Sequence, residues 1–173
     1  MEETLRQDRI FESDNIKKII LKLAPPIMLA QLIQALYNII DSFFIGRYSD
    51  EGLTALSLIF PIQLLVTALA VGTGVGVNTI ISFNNGMNKS KEALKTAKVG
   101  TVLGFLNYVM FAFISILAIK SFIGISTQNH EVYNLALIYG NIVCAGSIGL
   151  FMESIWTKIL QAEGNMKLPM KAQ

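Results

Sequence analysis

Four long apolar stretches, separated by short polar ones, set the pattern of this chain. Leu23–Ile40 runs 18 residues without Lys, Arg, Asp or Glu, Gly52–Asn88 runs 37, Val99–Ile119 runs 21 and Val132–Met152 runs 21. A helix needs roughly 20 apolar residues to cross a bilayer. The pattern therefore predicts four membrane-spanning helices, at about 19–45, 53–81, 96–119 and 132–160. Polar positions inside these stretches do not scatter. At 100° per residue Gln31, Gln34, Tyr37, Asn38 and Asp41 fall within about a 120° arc of the first helix. Leu, Ile, Ala and Phe fill the opposite side.

Composition agrees: 53% of residues are hydrophobic, 15% are charged, and the mean hydropathy is +0.53. Such a balance departs from that of an ordinary soluble domain. A net charge of +2 is too small to point to nucleic acid, so the partner expected from composition is the lipid bilayer. The cations are placed unevenly. Arg6, Arg9, Lys17, Lys18, Lys22, Lys89, Lys91, Lys95, Lys98, Lys158, Lys167 and Lys171 fall on one side of the expected membrane, leaving Arg47 and Lys120 on the other. Positively charged loops stay cytoplasmic, which predicts a multi-pass protein with its N-terminus in the cytoplasm. Residues 1–15 then form a cytoplasmic tail. Glu2, Glu3, Asp8, Glu12 and Asp14 lie there without an apolar h-region, unlike a cleavable signal.

Asp41 is the main chemical signal. An ionised carboxylate at mid-bilayer costs roughly 3 kcal/mol on insertion scales. Such groups face a protein interior or a water path, and recur in proton relays and cation sites. Two arrangements suit it: a functional site above the amide stripe, or a carboxylate one turn from the outer end that snorkels to water beside Arg47. The stripe favours the first. On the second helix Gln63, Thr67, Ala70, Gly74 and Asn78 share a face, and Pro61 removes a backbone hydrogen bond and is expected to kink the helix. Glu153 is a candidate secondary carboxylate on the fourth helix, sharing its face with Tyr139, Gly146, Gly149 and Thr157. A salt bridge to Lys158 is the simpler account of it. Gly72-x-Gly74-x-Gly76 follows no strand, which excludes a phosphate loop. Gly72-x-x-x-Gly76 and Gly100-x-x-x-Gly104 instead suggest close helix packing. One Cys (Cys144) and one His (His130) cannot build a metal site, and without paired carboxylates or a His cluster an enzyme is not expected. Cys144 is expected to pack as a small hydrophobe.

Taken together, several segments resemble the multidrug and toxic compound extrusion (MATE) transporters, and most closely their bacterial multidrug branch. These are Pro25-Pro26, Gln34-x-x-Tyr37-Asn38-x-x-Asp41-x-x-x-x-Gly46-Arg47, Leu53-Thr-Ala-Leu-Ser-Leu58 with Phe60-Pro61, Gly72-Thr-Gly74-Val-Gly76, and Gln161-Ala-Glu-Gly164-Asn165 ahead of Pro169. The resemblance implies an all-α integral membrane fold in which twelve helices form two lobes around a cavity. It implies secondary active export of organic cations in exchange for H⁺ or Na⁺, in the bacterial cytoplasmic membrane, with no other cofactor. Asp41 matches the N-lobe carboxylate that binds the coupling cation, so Na⁺ there is the one metal ion to expect. Pro26 matches a proline linked to bending of the first helix. Gln34, Tyr37, Asn38, Gln63, Thr67 and Asn78 would line the cavity, which would receive cationic amphipathic molecules.

Residues 16–173 then correspond to part of an N-lobe: four helices and the start of a fifth. The partner such a piece requires is the C-terminal half of the same protein, whether the chain is a fragment or a truncated gene product. Two other readings compete. A lipid-linked oligosaccharide flippase of the same superfamily would line its cavity with cations to meet a pyrophosphate, whereas these stripes hold amides, hydroxyls and carboxylates. A non-transporting membrane scaffold would explain four helices but not the position of Asp41.

Overall fold

The computed structural model of the chain describes residues 16–166 together with 168 and 169. The acidic tail, Lys167 and Lys171 lie outside the described residues, as does the side chain of Pro26. Four helices run in order: α1 over Ile16–Tyr48, α2 over Asp50–Gly86, α3 over Ser90–Ser126 and α4 over His130–Ala162. Each contains a segment long and apolar enough to cross a membrane. With backbone polar groups satisfied inside each segment, only helices of this kind or closed barrels can span lipid.

α1, α3 and α4 are longer than the apolar runs that betray them, and α2 matches its run in length. The 37 residues of α2 extend about 55 Å, against a hydrocarbon core of about 30 Å. Charged residues end a span without ending a helix, so the connections shrink. Where the expected helices leave connections at 46–52, 82–95 and 120–131, the breaks reduce to Ser49, to 87–89 and to 127–129.

Local chemistry fixes each break. The Ser49 hydroxyl accepts from the Gly52 amide at 3.0 Å and Asp50 and Glu51 occupy the first turn of α2. That is the charge sign a helix N-terminus favours. Asn88 takes a left-handed φ of 58°, a conformation Asn tolerates better than most residues, and turns the chain into α3. The Asn129 side chain accepts from the amides of Glu131 (2.9 Å) and Val132 (3.4 Å) to open α4. At its far end Gly164 has φ 80°, and the Asn165 amide reaches back to the Leu160 carbonyl at 2.9 Å. A glycine in that position is the usual helix stop.

α2, α3 and α4 form the packed body. Ile59, Val66, Phe111, Ile119, Ile123, Ala136, Cys144 and Phe151 belong to one buried cluster, which gives Cys144 the role of a small core hydrophobe. A second cluster joins Val77, Ile81, Ala93, Ile155 and Ala162. Close approach rests on glycine. A Cβ on Gly100 would come within 2.7 Å of Val77, one on Gly104 within 2.7 Å of Ile155, and one on Gly140 within 2.5 Å of Ile119. Small residues that let helices approach drive association in lipid, where apolar side chains gain little by leaving it.

One expectation needs correction. Gly72 and Gly76 do not make the helix contact: a Cβ on either would meet nothing within 4 Å. Gly74 does, with Lys158 and Ser154 at 2.9–3.2 Å. Alternate residues on a helix point some 200° apart, so the middle glycine and its flanking pair necessarily face opposite ways. Pro61 lies inside α2, which remains helical from Asp50 to Gly86.

α1 differs from the other three. It lies mainly against α2, and Ala30 is its one buried hydrophobic residue among those described.

Candidate functional site

Where α1, α2 and α4 meet, a cavity of about 560 Å³ opens. Gln34 and Asn38 line it from α1. Phe60, Gln63, Leu64, Val66 and Thr67 do so from α2, and Val143, Gly146, Ser147 and Leu150 from α4. The arc arithmetic above accounts for the α1 members: Gln34 and Asn38 are one turn apart, on the same face. On α2 the face bearing Gln63 and Thr67 adjoins the buried one bearing Val66 and Ala70.

Hydrogen bonding fixes which part of each polar group remains for a guest. The Thr67 hydroxyl donates to the Gln63 carbonyl at 2.9 Å, and the Ser147 hydroxyl donates to the Cys144 carbonyl at 2.7 Å. Each spends its single proton on its own helix, so each offers the cavity only oxygen lone pairs. The Gln63 amide nitrogen donates to the Tyr139 phenol at 2.8 Å, tying α2 to α4 beside the cavity. No Lys or Arg is among the lining residues. The cavity is therefore rich in acceptors and free of cations.

Asp41 stands one turn from Asn38 on the same stripe and is half-buried. It is not among the residues that line the cavity. Arg47 places its guanidinium over the Phe43 ring at 5.7 Å. Among the described residues no ion pair joins it to Asp41.

Other expected site residues are placed elsewhere. Tyr37 is exposed outside the cavity. Asn78 also lies outside it and donates to the Lys158 carbonyl at 2.7 Å, a clasp between α2 and α4. Glu153 accepts from the Thr157 hydroxyl at 2.7 Å, one turn along α4, while Lys158 donates to the Gln161 side chain at 3.0 Å. Sequence reasoning missed Ser147 as a wall component and Tyr139 as the partner of Gln63 beside the cavity. The face shared by Tyr139, Gly146 and Thr157 signalled the second, but nothing in one helix tells which neighbour it meets.

Four helices long and apolar enough to cross a membrane, three of them lining a cavity without Lys or Arg, define a multi-pass membrane protein. The chain belongs to the MatE family, whose model matches residues 26–173. It is 22% identical over 159 residues to a probable multidrug resistance protein, NorM, of Thermotoga maritima, covering 92% of this chain and 34% of that protein. It is 32% identical over 152 residues to multidrug and toxin extrusion protein 1 of Xenopus tropicalis, covering 84% of this chain and 25% of that one. Among solved structures it superposes with a TM-score of 0.86 and 29% identity on a MOP superfamily transporter of Pyrococcus furiosus. That match covers 90% of this chain and 34% of the other, and the structure is described as having a binding pocket of reversed polarity that suggests a different function. The chain thus spans about a third of the length of the relatives it matches. These relatives are named as transporters or resistance proteins, not as enzymes.

Proposed function

We propose that this chain supplies part of the N-lobe of a secondary active exporter that expels organic cations in exchange for H⁺ or Na⁺, with Asp41 as the coupling carboxylate. Residues 16–173 form the lobe portion and residues 1–15 a cytoplasmic tail. The membrane is the cytoplasmic membrane of a bacterium, with the N-terminus inside. One observation carries the reading: a half-buried carboxylate, with no ion pair among the described residues, stands above a cavity that offers lone pairs and no cations.

A cationic amphipathic guest would find acceptors in Gln34, Asn38, Gln63, Thr67 and Ser147 and apolar area in Phe60, Leu64 and Leu150. The same lining disfavours a pyrophosphate-bearing lipid, which would need Lys or Arg. The names of the multidrug relatives support this substrate class. The reversed pocket polarity of the Pyrococcus furiosus protein is described as suggesting a different function, and the cation-free lining in this chain suits cations.

Asp41 does the coupling by alternating between neutralised and exposed states. A bound H⁺ or a bound Na⁺ can neutralise it. Either ion leaves a neutral site, and losing the ion exposes a charge that must find water or substrate. Two bundles rocking about such a site give alternating access, so transport belongs to the complete protein, with a bend near Pro26 as one way for α1 to move.

The test uses the complete protein in proteoliposomes, with ethidium flux driven by an imposed H⁺ or Na⁺ gradient. Asp41→Asn should abolish gradient-driven flux, whereas Glu153→Gln should reduce it mildly. Wild-type flux with unchanged ion dependence in Asp41→Asn would leave that carboxylate as a snorkelling surface group.

A further inference from the structure

The face of α3 that turns away from the bundle carries a ladder of lysines. At 100° per residue Lys91, Lys95 and Lys98 fall within about a 60° arc. Val102, Phe105, Leu106 and Val109 continue the same stripe, and every one of these residues is exposed. The buried residues Ala93, Gly100, Gly104 and Phe111 lie on the opposite face. The stripe is therefore cationic at one end and apolar along its length, as a helix side against lipid must be.

Its dimensions fit a bilayer. Lys98 and Lys120 bracket the charge-free run of α3. Their 22-residue separation corresponds to about 33 Å along the axis, close to the roughly 30 Å of hydrocarbon. Lys98 thus falls at one hydrocarbon boundary, and Lys95 and Lys91 climb through about 10 Å beyond it, which is the headgroup layer. Lys89 lies two residues further back, in the connection from α2. Asn84, Asn85 and Asn88 flank it from the α2 side without adding an acid. Glu92 is turned some 100° from Lys91, and Glu163 is the exposed acid beyond α4 at that end. α3 also begins without a side-chain cap, so its N-terminal partial positive charge adds to the lysines.

We infer that Lys91, Lys95 and Lys98 form a binding site for the phosphate of an anionic phospholipid, seated against the outer face of α3. Its acyl chains lie along Val102, Phe105 and Val109. Placement in the cytoplasmic leaflet rests on the orientation proposed above, whereas the binding chemistry does not. Basic clusters at a membrane surface attract anionic lipid at a strength that compounds with each lysine.

Native mass spectrometry of the complete protein, purified in mild detergent and offered phosphatidylglycerol or phosphatidylcholine, tests this. The wild type should retain phosphatidylglycerol preferentially. Lys91→Gln/Lys95→Gln/Lys98→Gln should lower that retention at least about tenfold. The corresponding Lys→Arg triple, and Lys120→Gln alone, should stay within about twofold of wild type. An unchanged melting temperature shows that the glutamine triple is folded. Retention in that triple within about twofold of wild type would overturn the site. So would displacement of the lipid by inorganic phosphate at equal concentration, which would mark a free-anion site. Labelling of Ser90→Cys by an impermeant maleimide on intact cells reads the leaflet separately. Labelling from outside would overturn the orientation and leave the lipid result standing.

Discussion

α1 and the α2–α4 trio divide the work of this molecule between chemistry and packing. Only 6% of the most apolar window of α1 is buried, against 28% for α4. Yet α1 carries Gln34, Asn38 and Asp41, three of the six polar groups on which the proposed mechanism leans. The trio carries the interlocked glycines, the Phe111–Phe151 ring contact at 6.3 Å and the cross-helix hydrogen bonds. Under the proposed mechanism α1 moves, and shallow burial would ease that motion, because every packed contact would have to be broken and remade. The trio supplies a fixed wall against which such a motion has meaning.

That division can be broken experimentally, using melting in detergent of the complete protein as the stability readout. The largest effect should come from Gly140→Leu, which drives a branched side chain into Ile119 and Ile59. It should cost about 3 kcal/mol or prevent assembly, and an unaltered melting temperature would show that the trio is not tightly interlocked. Phe151→Ala should follow, at about 3 kcal/mol, because the ring is fully buried between α3 and α4 and leaves a cavity. Asn78→Ala removes one interhelical hydrogen bond, and such bonds average about 0.6 kcal/mol in a membrane protein. The smallest effects belong to the outward positions. Gly72→Ala on α2 and Leu36→Ala on α1 should each lie within about 0.5 kcal/mol of wild type. A large loss in Leu36→Ala would mean that α1 is a packing element after all.

Much of this was legible in the sequence, and the failures have physical causes. Charge-free runs locate hydrocarbon spans, so the four helices and their order could be read directly. Their ends could not, since lysines at headgroup depth remain helical. The 100° arithmetic brought Gln34 and Asn38 into one wall, because two residues a turn apart on one helix need no tertiary information. It could not say that Gln63 meets Tyr139, or that Asn78 finds the Lys158 carbonyl, since those depend on the rotation of α4 against α2. Glycine spacing is ambiguous for the same reason: of Gly72, Gly74 and Gly76 only the neighbour decides which is pressed. Asp41 stood out because its cost in lipid is high whatever surrounds it.

The measurement closest to the central claim counts ions released by the purified complete protein when an organic cation binds. Wild type should release H⁺ or Na⁺ on adding ethidium. Asp41→Asn should release none while melting within about 2 °C of wild type, since α1 contributes little to packing. Equal ion release from Asp41→Asn would contradict the claim that α1 holds the coupling site.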